Sequence, residues 1–539
     1  MRSATRFTLA AFLAPLLACG TDPGGDSTTG SGGSTGPAPS TGEAPTTAGA
    51  ASTAATTSEA TSGGTTGEAV FPDACDEPIA PVARTDARLG VDAGGRLRDE
   101  HGRDVQLRGV NTGGRSKWAP FAPFPVDPEA DLATWQAAAE QFFARLVPWG
   151  VNVVRMPFSW EALEPSEGTY DPRYLDRYAA MVDAAWARGI AVVVDFHQDI
   201  YASPFCGDGF PPWTLPGDPG PGRHDCEDWG LKYLADPDVR GAFDRFWADE
   251  GAIQAKFFAM WDAMIDRVGE HPGVVGLEIL NEPGWGSMDD TETWKHDVLL
   301  PFWDAAVLRL RERAGDEPLI LYNNTGFDAL FYAPVVHVRP AGDNIMYAPH
   351  LYDGNLINGL PWSGDEPGPH VAEVAGFAAE AGVAVLLGEF GYGDGADGGA
   401  EWLTRTYAAL DQHRLSSTQW ECSQSAELWN FEDLSMLAAD GSERAVVDVF
   451  VRPYLRAVAG DEPSFAWDPQ TGTATARWTG DGGVSEVALP PRRFPAGPTA
   501  MTLTTVEGPA GACLTYDRER GEVRVSAPDG ATVELTIEG

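Results

Sequence analysis

Short apolar runs recur from about residue 105 to residue 430, and between them lie stretches whose apolar residues return every three or four positions. The runs are Val105–Gly109, Val151–Pro157, Ile190–Phe196, Val274–Leu280, Leu319–Asn323, Ile345–Pro349, Val383–Gly388 and Ala426–Asn430. Continuously apolar runs of this length read as strands buried on both faces, whereas Leu175–Arg188 and Phe302–Arg313 carry the spacing of one helix face. Strands alternating with helices predict an α/β fold with a parallel sheet, and eight strands suggest a sheet closed into a (β/α)8 barrel. Beyond about residue 461 the helical period stops. Short alternating runs follow at Thr473–Trp478, Ser485–Ala488, Met501–Val506, Val523–Ser526 and Thr532–Ile537, separated by Gly, Pro and Asp. They predict a small C-terminal antiparallel β-sandwich over 461–539. Trp467 and Trp478 are its only two tryptophans, too few for a sugar-stacking face, so this region is expected to pack on the barrel.

The N-terminus has another character. Arg2 and Arg6 precede an apolar run, Phe7–Leu17, that is too short to span a bilayer and ends in Leu16-Leu17-Ala18-Cys19. This resembles a bacterial lipobox and implies export, cleavage before Cys19 and a lipid on its thiol, with residues 1–19 as signal peptide. Residues 20–70 are almost wholly Gly, Ser, Thr, Ala and Pro. Such a stretch cannot bury enough apolar surface to offset its ordering entropy and reads as a disordered tether ahead of a catalytic region at 71–460. The expected location is therefore the cell envelope, as an anchored lipoprotein, or the medium. An exported chain can keep disulfides. Cys206 and Cys226 flank a Pro/Gly-rich loop and make the first candidate pair, Cys75 and Cys513 the second, with Cys422 left free. No cysteine cluster has metal-ligand spacing.

The chain carries 79 acidic and 37 basic residues, a formal charge of −42. That argues against nucleic acid and against electrostatic docking on anionic lipid, and it suits a neutral or apolar substrate.

Two carboxylates each follow a barrel-strand run. Glu282 lies in Asn281-Glu282-Pro283 after Val274–Leu280, and Glu389 lies in Gly388-Glu389-Phe390-Gly391 after Val383–Leu387. Both are expected at the C-terminal mouth of the barrel, where the catalytic groups of such folds gather. Breaking a glycosidic bond with retention needs two carboxyls about 5–5.5 Å apart, one as acid/base and one as nucleophile.

With these motifs the stretch from about 95 to 450 is similar to glycoside hydrolase family 5, whose fold is the TIM barrel. The resemblance implies that Glu282 is the general acid/base and Glu389 the nucleophile. It also implies substrate-site roles for Arg155 beside the nucleophile, His197 on the third strand, Asn281 at a sugar 2-hydroxyl, His350 and Tyr352 on the sixth strand, and Trp429 under the sugar at the cleaved bond. Within the family, Arg108–Lys117, Asp195–Tyr201 and Gly207–Trp213 look like endoglycoceramidases, enzymes that part glycan from ceramide. On that likeness Lys117 and Asp199 bind the glycan, and a lipid aglycone would need an apolar lane, for which Phe205, Phe210, Trp213, Trp229, Trp285 and Phe327 are candidates. The long loop around Pro216–Pro221 departs from the pattern and leaves the aglycone open among ceramide, sterol and other glycolipids. The implied partner is a glycolipid or oligosaccharide substrate, besides the membrane reached through a lipid on Cys19; the expected state is a monomer, with no cofactor and no metal. Two alternatives stand beside this reading: a polysaccharide endo-β-glucanase or mannanase of the same fold, and a non-catalytic surface protein that binds carbohydrate or lipid.

Overall fold

A computed structural model describes residues 71–330 and 335–539, and among these no helix is long and apolar enough to cross a membrane. The signal run, Cys19 and the tether lie outside the described residues.

Eight parallel strands close into a barrel: β1 Arg108–Asn111, β2 Val153–Phe158, β3 Ala191–Phe196, β4 Val274–Glu278, β5 Leu319–Tyr322, β6 Ile345–Tyr347, β7 Ala384–Leu387 and β8 Ser416–Gln419, with β8 pairing back to β1. Alternate residues explain why the strands are apolar throughout. Val153, Val193, Val275, Leu321, Met346 and Leu386 fill the inside of the barrel, while Val154, Val192, Val194, Leu277 and Ile320 pack outward against the helices. At Gly109 a Cβ would lie 1.7 Å from the Val153 carbonyl oxygen, so no larger residue fits between β1 and β2. Helices Leu132–Leu146, Pro172–Trp186, Leu300–Ala314, Pro367–Ala381 and Gly399–His413 form part of the outer layer. The first two start on Asp131 and Asp171, whose carboxylates accept from backbone N–H groups of the first turn, the stabilising arrangement at a helix start.

Six of the eight expected strands fall where the apolar runs are. The first and last do not. Asp104–Val105 pairs with Tyr454–Val458 in a different sheet, and the barrel strand begins only at Arg108. The run Ala426–Asn430 is not a strand; Trp429–Phe431 is a single 3-10 turn within a loop. The eighth strand, Ser-Ser-Thr-Gln, has no apolar residue yet is wholly buried. Three of its side chains find partners inside: Ser416 Oγ accepts from the Leu107 N–H, Thr418 Oγ1 donates to the Gly388 carbonyl and Gln419 Oε1 accepts from the Tyr407 hydroxyl. Hydrogen bonding replaces the hydrophobic signature.

The antiparallel part extends beyond residues 461–539. A four-stranded sheet orders Gly460–Asp468, Thr473–Gly480, Thr532–Glu538 and Ala500–Glu507, and a seven-stranded sheet adds Gly90–Val91, Leu97–Arg98, Asp104–Val105 and Tyr454–Val458 to Val484–Ala488, Glu522–Ser526 and Cys513–Asp517. Trp478 is buried in the core between them and Trp467 packs against that core. Contacts with the barrel run through Asp104 to Arg414, just past the helix Gly399–His413, at 2.8 Å and the Tyr454 hydroxyl to the Gly150 carbonyl at 2.9 Å. The two candidate disulfides are both present, Cys75–Cys513 and Cys206–Cys226, and Cys422 is a buried free thiol.

Candidate active site

The side chains at the C-terminal mouth are organised by one cation. Arg155, in the middle of β2, has no exposed surface, and its five N–H bonds are used inside the barrel. Nε and Nη2 take both oxygens of Glu278 at 2.7 and 3.0 Å, Nη1 reaches Glu389 Oε1 at 2.6 Å and Asn111 Oδ1 at 3.0 Å, and Nη2 also reaches Asn281 Oδ1 at 2.8 Å. Asp195 Oδ1 adds a contact at 3.1 Å. A planar guanidinium suits this fork geometry and stays charged. Burial opposes its charge, but Asp195, Glu278 and Glu389 raise its pKa well above the usual value.

Glu389 follows β7 and pairs in parallel register with His350, which follows β6. The Tyr352 hydroxyl donates to Glu389 Oε2 at 2.9 Å. Burial pushes the Glu389 carboxyl up, but His350 and Arg155 outweigh it and hold it below its ordinary value. Glu282 follows β4, and its Oε1 lies 2.7 Å from His350 Nδ1, which is also 3.5 Å from Glu389 Oε2. Burial is the largest influence on Glu282, and with the nearby Glu389 it raises the pKa despite His350. Ligand-type atoms of Glu282, His350 and Glu389 all lie within 4.8 Å of one another. Two carboxyls this close, displaced in opposite directions, form the pattern of an acid and an ionised partner. Gly326 is what admits the first of them, because a Cβ there would sit 2.5 Å from Glu282 Oε2.

The backbone under Glu282 is locked from β3 and β5. Gln198 Nε2 donates to the Asn281 and Glu282 carbonyls, each at 2.8 Å, and Asn323 Oδ1 accepts from the Glu282 N–H. Glu282 itself has a positive φ of 37°, an uncommon conformation that persists where its surroundings impose it.

A second cluster surrounds Lys117. Its ammonium lies 2.7 Å from Asp199 Oδ2 and 3.5 Å from Glu432 Oε2, and over the rings of Trp429 at 4.0 Å, Trp420 at 4.6 Å and Trp229 at 5.7 Å. Lys117 and Asp199 are therefore a buried pair. His197 Nδ1 contacts Asp195 Oδ2 at 2.8 Å, and its ring stacks on Trp420 with centroids 5.2 Å apart. Burial lowers the imidazole pKa, yet Asp195 dominates the balance and lifts it to about 10. Asp208, beside Asp199, is raised to about 7 by burial and by that neighbour's charge. His197, Asp199 and Asp208 could together offer metal-ligand atoms, as could Glu282, His350 and Glu389. Lys117 on Asp199 and Arg155 on Glu389 already supply the positive charge in each. Cys206 and Cys226, near Asp225, are joined to each other and offer no thiolate.

The structure thus brings together Glu282, Glu389, Arg155, Asn281, His350 and Tyr352 around one centre, and Lys117, Asp199 and His197 around the other, with Trp429 against Lys117. The aromatic at the end of the true eighth strand is Trp420, because Ser416–Gln419 leads directly into it. Sequence reasoning also missed Glu278, Asp195 and Asn111. Glu278 and Asp195 had a legible signal, a carboxylate inside an apolar barrel run, which must find a cation within the barrel. The expected apolar lane is only partly open. Phe210 is fully buried against Trp160 and Phe196, and Trp285 is buried with its ring stacked on Tyr233, whereas Phe205, Trp213, Trp229 and Phe327 are partly buried against the core.

Similarity to known proteins gives the family. Residues 98–426 match the sequence model of Cellulase (glycosyl hydrolase family 5). Endoglycoceramidase I of Rhodococcus hoagii is 28% identical over 489 residues, covering 83% of this chain and 85% of that protein. A glucosylceramidase of Cryptococcus neoformans is 36% identical over 124 residues, 22% of this chain and 17% of its own length. Among solved structures, endo-glycoceramidase II from Rhodococcus sp. in complex with a five-membered iminocyclitol superposes with a TM-score of 0.66 at 25% identity, covering 82% of this chain and 99% of that one. The barrel, the paired carboxyls at its mouth and the match over most of the catalytic region have one reading: the chain is a glycosidase and belongs to glycosyl hydrolase family 5.

Proposed function

We propose that the chain is a retaining endo-type β-glycosidase that separates the glycan from the lipid of glycolipids, glycosphingolipids above all. The observation that carries the reaction is the pair Glu282 and Glu389, within 4.8 Å through His350 and displaced to opposite sides of the ordinary carboxyl range. In the first step Glu389 attacks the anomeric carbon while Glu282 gives its proton to the glycosidic oxygen. The carbon–oxygen bond breaks, the lipid leaves as an alcohol and the sugar is held as an ester of Glu389. In the second step Glu282 takes a proton from water, the water oxygen bonds to the anomeric carbon and Glu389 leaves as carboxylate. Arg155 and Tyr352 supply the donors that keep Glu389 ionised and aimed, and Asn281 is placed for the sugar 2-hydroxyl.

The glycolipid substrate is supported by the relatives named endoglycoceramidase and glucosylceramidase and by the Lys117–Asp199 pair beside the site. Export is supported by the lipobox-like Leu16–Cys19 and by two disulfides, which suit an oxidising compartment. The burial of Phe210 and Trp285 favours a second reading, a polysaccharide endoglycosidase with no lipid lane.

The test is incubation of residues 71–539 with a fluorescent ganglioside, glucosylceramide, cellulose and mannan, beside a Glu389→Gln variant. Intact oligosaccharide plus ceramide from the unaltered protein alone supports the proposal. Turnover of polysaccharide without turnover of either lipid replaces it with the second reading.

A further inference from the structure

We propose that Asn430 is a positioning residue that clamps the glycan-side wall of the site to the Cys206–Cys226 loop and thereby sets the affinity for the sugar that reaches Lys117. The inference rests on the proposed function and names a determinant of glycan binding within it.

The wall is the segment Trp429–Glu432. Trp429 lies over the Lys117 ammonium at 4.0 Å and meets Trp229 edge to face at 4.8 Å. Glu432 takes the Trp420 Nε1–H at 2.7 Å with one oxygen and stands 3.5 Å from Lys117 with the other. Trp420 and Asp199, the other members of the lysine cage, stand just past β8 and β3, whereas Trp429 and Glu432 hang on a loop that no barrel strand supports. What holds it is the residue between them. Asn430 is 3% exposed; its Nδ2 donates to the Cys206 carbonyl at 2.6 Å, its Oδ1 accepts from the Cys226 N–H at 3.1 Å and its own N–H donates to the His224 carbonyl at 2.9 Å. One side chain thus bonds both ends of the disulfide. The backbone needs such a hold, because Asn430 and Phe431 have consecutive positive φ angles of 47° and 64°, and Phe431 is 58% exposed with little to fix it. L residues rarely take that conformation, Asn least reluctantly. The loop between the cysteines is the Pro/Gly-rich one, so the clamp ties that loop directly to the lysine cage. Glu282 and Glu389, by contrast, hang on Arg155, Gln198, Asn323, His350 and Tyr352, none of which belongs to the clamp.

The consequence is a separation of effects. Loosening the clamp weakens the sugar contact at Lys117 and leaves the reacting centre in place. The experiment compares the unaltered protein with Asn430→Gly, which deletes the amide without penalising the backbone, and with Asn430→Asp, which keeps the acceptor for Cys226 and loses the donor to Cys206. Two quantities are measured: kcat and KM on an aryl β-lactoside, and the inhibition constant of a single-ring iminosugar that occupies only the cleavage point. Asn430→Gly is expected to raise KM about tenfold, the loss of two buried hydrogen bonds, with kcat and the inhibition constant within about twofold. Asn430→Asp, which turns a carboxylate oxygen toward the Cys206 carbonyl, is expected to raise KM at least as much. A Cys206→Ser/Cys226→Ser variant, checked for folding by its melting curve, repeats the pattern from the other side of the clamp. Equal weakening of lactoside and iminosugar, or an unchanged KM in both variants, overturns the inference. Failure of the unaltered protein to cleave any β-lactoside or glycolipid instead sinks the proposed function, and the inference with it.

Discussion

His350 and Glu282 are joined at 2.7 Å through Nδ1 and Oε1, and the same imidazole nitrogen lies 3.5 Å from Glu389. One ring therefore acts on both carboxyls. Its charge and hydrogen bond lower Glu282, and its charge lowers Glu389. The proposed mechanism requires Glu389 ionised and Glu282 protonated, so kcat/KM should fall at low pH as the depressed Glu389 gains a proton and at high pH as the raised Glu282 loses one. His350→Asn removes the shared charge and should move both limbs to higher pH, by about one unit. A pH profile on an aryl glycoside measures this, and limbs that stay in place would show that His350 is uncharged in the working enzyme.

The two glutamates should fail differently. Glu389→Gln removes the attacking group and should abolish turnover of every substrate. Glu282→Gln should cost about 10²–10⁴-fold on lipid alcohols, which need a proton to leave, and much less in the first step on a good phenolate leaving group. Single-turnover kinetics on the two leaving-group classes separate these outcomes; equal losses on both classes would remove Glu282 from the role of acid.

Arg155 and Glu278 are a fully buried, doubly hydrogen-bonded pair. Glu278→Ala leaves the guanidinium with one main carboxylate partner fewer inside the barrel. It should lower stability by about 3–5 kcal/mol in urea unfolding, and it should raise KM or lower kcat because the same cation aims Glu389. A loss below about 1 kcal/mol would mean that Asp195 and Glu389 suffice to hold Arg155.

His197 has a folded pKa near 10, above its ordinary 6.5, so its pairing with Asp195 stabilises the fold fully below about pH 6.5 and that contribution is lost as pH rises through 10. Melting temperatures should decline across this window, and the decline should be shallower in His197→Gln. Parallel curves for the two proteins would count against a charged His197.

Cys75–Cys513 closes a loop of 438 residues and staples the segment before the barrel to the strand Cys513–Asp517. Cys75→Ser/Cys513→Ser should destabilise by about 2–4 kcal/mol in denaturant. It should leave kcat/KM unchanged, since neither cysteine approaches the mouth of the barrel.

The sequence by itself determined six barrel strands, the sandwich runs and the emergence of Glu282 and Glu389 at the barrel mouth. Each of these is written locally: in six of the eight runs the apolar stretch is a strand buried on two faces, and the residue just past its end emerges at the mouth. Glu278 and Asp195 were legible too, as charges inside apolar strands, although not their common partner, which lies 123 positions from Glu278. Tertiary structure alone decided the rest. Ser416–Gln419 is a strand whose Ser416, Thr418 and Gln419 oxygens find partners in the distant Leu107, Gly388 and Tyr407, which no local pattern records. For that reason Trp420, not a residue in an apolar run, stands at the end of β8 and stacks on His197. Asn430 likewise looked like the end of a strand, and became a clamp only because the chain folds Cys206 and Cys226 against it from more than 200 positions away.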